Sequence, residues 1–524
     1  MDDRQTDRRP PGGDYNLVPY VSKPFPQTQP ARLAALAVVF GLAPPGVETA
    51  RVLELGSASG GNLIPLALRF PNARFHGIDL AERHVAEGRA RVAALGLDNV
   101  TIEQGDIGIL DLGDAVFDYI ICHGVYSWVP EQVRAAILAL SARHLAPDGV
   151  AYVSYNVLPG WHLRRAVRDL MLFHAGSDGP PADRVARARR MLDDVARVAR
   201  DTTSFGALMR AEAQTLSAME DSYILGEFLA EDNAPCYFRD FAAEAEAHGL
   251  AYLCEAELDQ CLPETLGAET ARHIRSLSGD KLIPLEQYMD FFKGRSFRQS
   301  LLVGRENGRG IRRRLEPGRF AGLHVAARGT VAEDSSGTIT FTTPAGGTLT
   351  SRHPGVAFAF RRLNAVFPAT RALTALAAEA RAEAGRDWPD LDAAIADAVF
   401  KAALAGLAEL SSVARSTPTD GVPARPRASS LARLDAREGT GWTTGLDHSV
   451  ITLDVVTEAM LDHLDGNTNA AELEQHLLAA VASGRIRLID NATGAALAGE
   501  ALRIEAAEHV RLALGRLASS GLLS

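Results

Sequence analysis

Between residues 51 and 156 five short apolar runs follow one another: RVLELG, RFHGID, VTIEQGD, FDYIICHG and GVAYVSYN. Stretches of helical periodicity separate them, among them AERHVAEGRARVAALG (81–96) and PEQVRAAILALSARHL (130–145). Strands alternating with helices predict a parallel sheet covered by helices on both faces. In the 130–145 stretch Val133, Ile137, Leu138 and Leu140 approximate one apolar face, and PDG after Leu145 ends it.

A chain of 524 residues is too long for one hydrophobic core, so several domains are expected. Residues 1–30 read as a polar tail and lid, and 31–308 as the α/β domain. Within it about 163–248 form a helical insertion, after which LAYLCEAEL (250–258) and SFRQSLLVGR (296–305) supply two further strands. Five plus two strands make a seven-stranded sheet, and insertions at its strand ends are where such sheets place substrate or dimer contacts. Residues 317–413 look like a small α+β domain, with strands in AGLHVAAR and GTITFTT and helix over 370–411. The Pro/Ser/Gly-rich 414–430 reads as a flexible linker, and 431–524 as a mostly helical, winged-helix-like module.

A net charge of −11 leaves no broad basic surface to neutralise phosphates, which argues against nucleic acid as the partner. Basic runs at 164–169 and 312–314 read as solvated surface. Cys122, Cys236, Cys254 and Cys261 form no C-x-x-C pair, so neither a zinc site nor a disulfide framework is expected. The opening MDDRQTDRRPPGGD lacks the apolar core of a secretory signal, and the apolar stretch 33–43 is too short to cross a bilayer. A cytoplasmic protein without membrane insertion is expected.

The first run breaks into small residues at Gly56, Ser57, Ala58, Ser59, Gly60 and Gly61, then Asn62. Such a loop is either a cradle for a nucleotide-like cofactor or an ordinary strand-to-helix turn. Polar partners at neighbouring strand ends favour the cradle. Asp79, followed by Leu80, ends the second run, where a carboxylate accepts ribose hydroxyls. Asp106 ends the third, where it accepts from an adenine amine while Ile107 packs on the ring. Glu54 sits inside the first run and accepts from an amine or from the loop backbone. Gly56, Ala58 and Gly60 in a G-x-A-x-G pattern, with three acidic groups nearby, suit an uncharged or cationic ligand rather than a pyrophosphate. S-adenosylmethionine (SAM) is such a ligand.

ELGSASGGN, GID, QGDI and FDYIICHGVYSWVP together resemble a class I SAM-dependent methyltransferase, which implies a Rossmann-like sheet. YNLVPYVSKPFPQTQPARLAAL (15–36), SYNVLPGW (154–161), DNAPCYFRDFAAEAEAHGLAYL (232–253) and EQYMDFFKGRSFRQSLL (286–302) narrow the resemblance. They are similar to bacterial methyltransferases with a methyltransferase regulatory domain, a group that includes rickettsial-type protein lysine methyltransferases. Gln29 and Gly226 stand where that group commonly has histidine.

The candidate catalytic residues lie after the fourth and fifth runs. His123 is either a general base or a residue that orients the backbone beside the cofactor. Tyr126, Trp128, Tyr155 and Trp161 make either a cage for an alkylammonium or packed core. Asn156 can accept from an amine and so position a nucleophile. Tyr20 is either a lid over the site, with Gln27 and Thr28 reaching SAM, or part of a plain N-terminal strap. The resemblance implies a protein lysine as methyl acceptor. A small-molecule acceptor, or a SAM-binding regulator with vestigial catalysis, are the alternatives, and a homodimer is a further expectation.

Overall fold

A computed structural model describes residues 20–200, 202–279, 281–385, 388–417, 421–490 and 493–524. The expected polar tail lies outside the described residues, while the lid segment is described from Tyr20 onward. The chain divides into two compact units, the first containing residues 40–92 and 98–313 with a strap ending at Ser22, the second residues 23–39, 93–97 and 314 onward.

The first unit is a seven-stranded mixed sheet flanked by helices. Its strands are β1 (Arg51–Leu55), β2 (Arg74–Asp79), β3 (Val100–Gln104), β4 (Phe117–Cys122), β5 (Leu145–Asn156), β6 (Leu250–Glu255) and β7 (Phe297–Gly304), in the order β3-β2-β1-β4-β5-β7-β6. The first five pair parallel, and β7 runs antiparallel between β5 and β6. Apolar runs rather than alternating ones are what the fold requires, since Val52, Leu53 and Leu55 of β1 and Tyr119, Ile120 and Ile121 of β4 are all buried. The strand order reverses direction from β1, whose neighbours are β2 and β4, and the crevice beyond their carboxyl ends is the ligand position of open α/β sheets.

Helices Gly160–Ala175, Pro181–Val198 and Ser204–Ser217 follow β5, and Phe238–Ala247 precedes β6. The insertion carries a core of its own, in which Val167, Met171, Val185, Leu192, Met209, Ile224 and Phe228 are buried together. Two helices between β6 and β7, Ala268–Ser278 and Leu282–Lys293, were not anticipated from the sequence. The second holds Glu286 and Asp290 against Arg298 of β7, whose guanidinium also meets Glu255 of β6 at 2.7 Å and lies 4.0 Å above the Phe238 ring. A buried guanidinium met by three carboxylates, each hydrogen-bonded, satisfies charges that would otherwise be costly to bury.

The second unit begins with helix Pro30–Val39, whose Ala31 carbonyl accepts from Ser412 at 2.9 Å. A meander of Thr330–Glu333, Ile339–Thr342 and Thr348–Ser351 follows, with helices Pro354–Val366, Leu373–Ala384 and Leu391–Leu404. Both ends of the 414–430 stretch are held: Arg415 is buried and bonds Pro368 and Glu409, while Arg427 and Ala428 form bridges to Asp465 and Leu523. The last residues form a helix–hairpin–helix module. Helix Ser430–Glu438, hairpin Trp442–Thr444/Val450–Thr452 and helices Val455–Leu461, Ala470–Ala482 and Gly499–Ser519 enclose Leu464, Leu473, Leu477, Val510 and Leu514. No helix among the described residues is long and apolar enough to cross a membrane.

Candidate active site

The glycine loop leaves β1 in a conformation that side chains resist. Gly56 and Gly60 have φ of +80° and +76°, and added Cβ atoms would lie 2.3 Å from Val125 Cγ2 and 2.5 Å from Ile102 Cδ1. Ala58 also has positive φ, 45°, and its amide donates to Asp79 Oδ2 at 2.8 Å. Asp79 Oδ1 accepts from Ala81 at 2.9 Å and lies 3.6 Å from His84 Nδ1. Asp79 therefore braces the loop through Oδ2 and the chain after β2 through Oδ1, and each carboxylate oxygen can still accept a second hydrogen bond.

Glu54 is buried at the start of the crevice. Its Oε1 accepts from Asn62 Nδ2 at 2.8 Å, and Oε2 has no partner among the described residues. Burial pushes this carboxyl up to about 8, against the Asn62 hydrogen bond and helped by the Asp79 charge. An orphaned buried carboxylate oxygen beside a backbone cradle fits a ligand with an ammonium group, as SAM has.

Asp79 and Gln104 are register partners on β2 and β3, so Leu80 follows beside Gly105, one residue before Asp106. Leu80 is 41% exposed, an apolar residue facing outward beside the crevice, and Ile107 is half-buried. Asp106 Oδ1 accepts from Gly108 at 2.8 Å and caps the turn Ile107–Ile109.

Two serines not singled out in the sequence tie the ends of β4 and β5 together. Ser154 Oγ accepts from Gly124, and Ser127 Oγ accepts from the Asn156 amide, both at 2.8 Å. The Asn156 side chain is buried and its Nδ2 lacks a partner among the described residues. His123 Nδ1 lies 2.8 Å from the Tyr152 hydroxyl, and burial lowers its imidazole to about 4. A histidine neutral at pH 7 and this weakly basic is poorly matched to removing a proton from a hydroxyl.

The four aromatics do not form one cage. Tyr126 and Tyr155 belong to the sheet core, Tyr126 donating to Glu244 at 2.9 Å and Tyr155 bonding Ser300 at 2.9 Å while stacking 3.9 Å from Phe241. Their hydroxyls find protein partners there, as buried phenols require. Trp128 and Trp161 form a separate edge-to-face pair at 5.8 Å, with the Trp161 Nε1 unpartnered among the described residues.

The strap residue Ser22, also missed, accepts the Gly61 amide on Oγ at 2.8 Å, and a Cβ on Gly61 would fall 2.1 Å from the Ser22 carbonyl oxygen. Tyr20 precedes it, 38% exposed. Gln27 and Thr28 belong to the second unit, where Thr28 Oγ1 donates to Phe25 and closes the turn Pro26–Thr28. The adjacent Gln29 donates to the Asp447 carbonyl at 2.8 Å within the same unit.

The sheet order, the glycine cradle and the acidic crevice define a Rossmann-like methyltransferase. Three family models match the chain: a methyltransferase domain over residues 52–149, a predicted methyltransferase regulatory domain over 220–304 and the PKMT C-terminal winged helix domain over 424–522. Two uncharacterised proteins of Rickettsia prowazekii are similar in sequence. One is 36% identical over 44% of this chain and 93% of its own length, the other 40% identical over 55% of this chain and about half, 52%, of its own length. The structure of PKMT2 from Rickettsia typhi in complex with AdoHcy is 26% identical, covers 96% of this chain and 100% of that one, and superposes with a TM-score of 0.85. The chain belongs to the family of SAM-dependent methyltransferases that carry this regulatory domain and the PKMT winged helix.

Proposed function

We propose that this methyltransferase acts on the side-chain amine of a protein lysine. The observation that carries the reading is the likeness to PKMT2 over 96% of the chain, with the PKMT winged helix matched at 424–522.

In this reading the chain's own residues bind, orient and desolvate. Glu54 Oε2 accepts from the ligand's amino group, Asp79 from the ribose hydroxyls and Asp106 from the adenine amine, with Leu80 and Ile107 against the ring. Bound SAM supplies a methyl group on a sulfonium, taken by a nucleophile held in line with the sulfur–carbon bond at about 3 Å. Asn156 positions that nucleophile. The amide end left without a partner presents an oxygen to an amine once the side chain is turned by a half rotation. The acceptor amine must lose a proton, its reference pKa being about 10.4, and the apolar surroundings of Trp128 and Trp161 lower that value. A homodimer and a cytoplasmic location complete the proposal.

The test is calorimetric titration of SAM and S-adenosylhomocysteine, followed by transfer of a labelled methyl group to bacterial proteins with mass-spectrometric mapping. Label on lysine supports the reading. Label confined to metabolites makes the enzyme a small-molecule methyltransferase, and tight binding without any transfer makes it a regulator. Sedimentation velocity tests the dimer.

A further inference from the structure

The helical insertion contains a feature that the cofactor chemistry leaves unused. Residues Ile224–Phe228 form a single π-helical turn, directly after Asp221–Tyr223. Such turns are rare and recur at functional sites. This one brings Phe228 to 6.3 Å from the Trp161 ring and to 6.3 Å from Tyr223. Trp161 in turn meets Trp128, so a continuous aromatic path joins the end of β4 to the turn.

Glu227 sits on that turn, half-buried, and makes no hydrogen bond or ion pair with another described residue. The groups that face it can be named element by element. From helix Gly160–Ala175 comes Arg164, whose guanidinium lies 6.0 Å from the Trp161 ring and 3.7 Å from Glu212 of helix Ser204–Ser217, and whose charge also acts on the Tyr223 phenol. Tyr20 comes from the strap whose Ser22 rests on the glycine loop, and Tyr223 and Glu220 flank the turn itself. Arg164 is thus shared with Glu212 and Tyr223, and the Glu227 carboxylate is incompletely compensated. Burial pushes it up to about 7, the Arg164 charge opposing. Tyr20 is pushed up to about 12 by burial, then by the charge of Glu227.

We propose that Glu227, beside the accessible Tyr20 and Tyr223 on the rim of the aromatic path, binds the alkylammonium of the methyl acceptor and takes its proton. The inference rests on the lysine reading above and adds the site that receives the amine. The N–H bond breaks with its electron pair left on nitrogen, and the proton joins a Glu227 oxygen. One negative and one positive charge become a neutral acid and a neutral amine, and the amine's lone pair is then free to attack. The partly exposed rings of Tyr20 and Tyr223 favour the cation before the transfer.

The probe is n-butylammonium, a lysine side-chain mimic, titrated calorimetrically into the full-length protein with S-adenosylhomocysteine present, at pH 6 to 8. Wild-type affinity is expected to rise roughly tenfold across that range as Glu227 ionises around 7. Glu227→Gln should bind about tenfold or more weakly at pH 8, with no pH dependence, and should bind S-adenosylhomocysteine like the wild type. Glu227→Asp should recover part of the affinity and its pH slope. Wild-type binding that is undetectable or flat with pH overturns the proposal without reference to any variant, as does a Glu227→Gln protein that binds like wild type. Failure of the wild type to bind S-adenosylhomocysteine would instead overturn the methyltransferase reading.

Discussion

The backbone amide of Ala58, in left-handed conformation, is bound by the Asp79 carboxylate across the gap between β1 and β2. Positive φ is unfavourable for any residue with a Cβ, so the loop's shape depends on this contact from a neighbouring strand. The residue that reads from sequence as a ribose acceptor is also the brace of the loop.

Asp79→Ala should therefore lower stability as well as cofactor affinity. Loss of two backbone contacts predicts a cost of about 1–3 kcal/mol, read by calorimetric unfolding, and no detectable S-adenosylhomocysteine binding. Ala58→Gly in the variant background should restore some stability, about 0.5–1 kcal/mol, but not binding. Recovery of both would reduce Asp79 to a brace alone.

Glu54 predicts a pH signature. Its carboxyl is raised from 4.5 to about 8 in the folded protein, so the folded state holds a proton that the unfolded state releases. Its contribution to stability is full below about 4.5 and is lost as the pH rises through about 8. Glu54→Gln should flatten that slope. Ligand binding at pH 7 should release close to one proton per site as the carboxylate forms against the ammonium, measured by calorimetry in buffers of different ionisation enthalpy. The variant should release none.

His123 is lowered to about 4, so it is neutral throughout the range in which the enzyme would be assayed. His123→Asn should leave the pH profile of kcat/KM between 5.5 and 8 unchanged in shape. An inflection present in the wild type and absent from the variant would reinstate it as a base.

The division of the aromatics is testable by KM against stability. Tyr126→Phe and Tyr155→Phe each remove a hydroxyl paired in the core, costing about 1 kcal/mol of stability with KM for the acceptor unchanged. Trp128→Ala should raise KM for the acceptor several-fold with S-adenosylhomocysteine affinity retained. A KM effect from the tyrosines would return them to the acceptor pocket.

The central strands were legible because β1 and β4 are contiguous apolar runs buried on both faces, whereas the edge strand β3 alternates buried and exposed positions and was legible from its place between a helix and a turn. The glycine loop was legible for a similar local reason: Gly56 and Gly60 stand where φ must be positive, and small residues after a strand announce it. Helices Ala268–Ser278 and Leu282–Lys293 escaped notice because they are short and each buries only a few side chains. What no local pattern encodes is which side chain meets which across the fold. Tyr155 and Trp161 are alike in type and close in sequence, yet the pairing of β5 with β7 turns Tyr155 onto Ser300, while the helix starting at Gly160 carries Trp161 to Phe228. Ser22 reaches Gly61, and Tyr20 comes within the field of Glu227, only because the strap returns to the glycine loop. Strand identity and loop conformation follow from neighbours within a few residues, and so the sequence by itself determined them. The roles of Asp79, the tyrosines and Glu227 depend on contacts between segments tens to hundreds of residues apart, which only the tertiary structure decided.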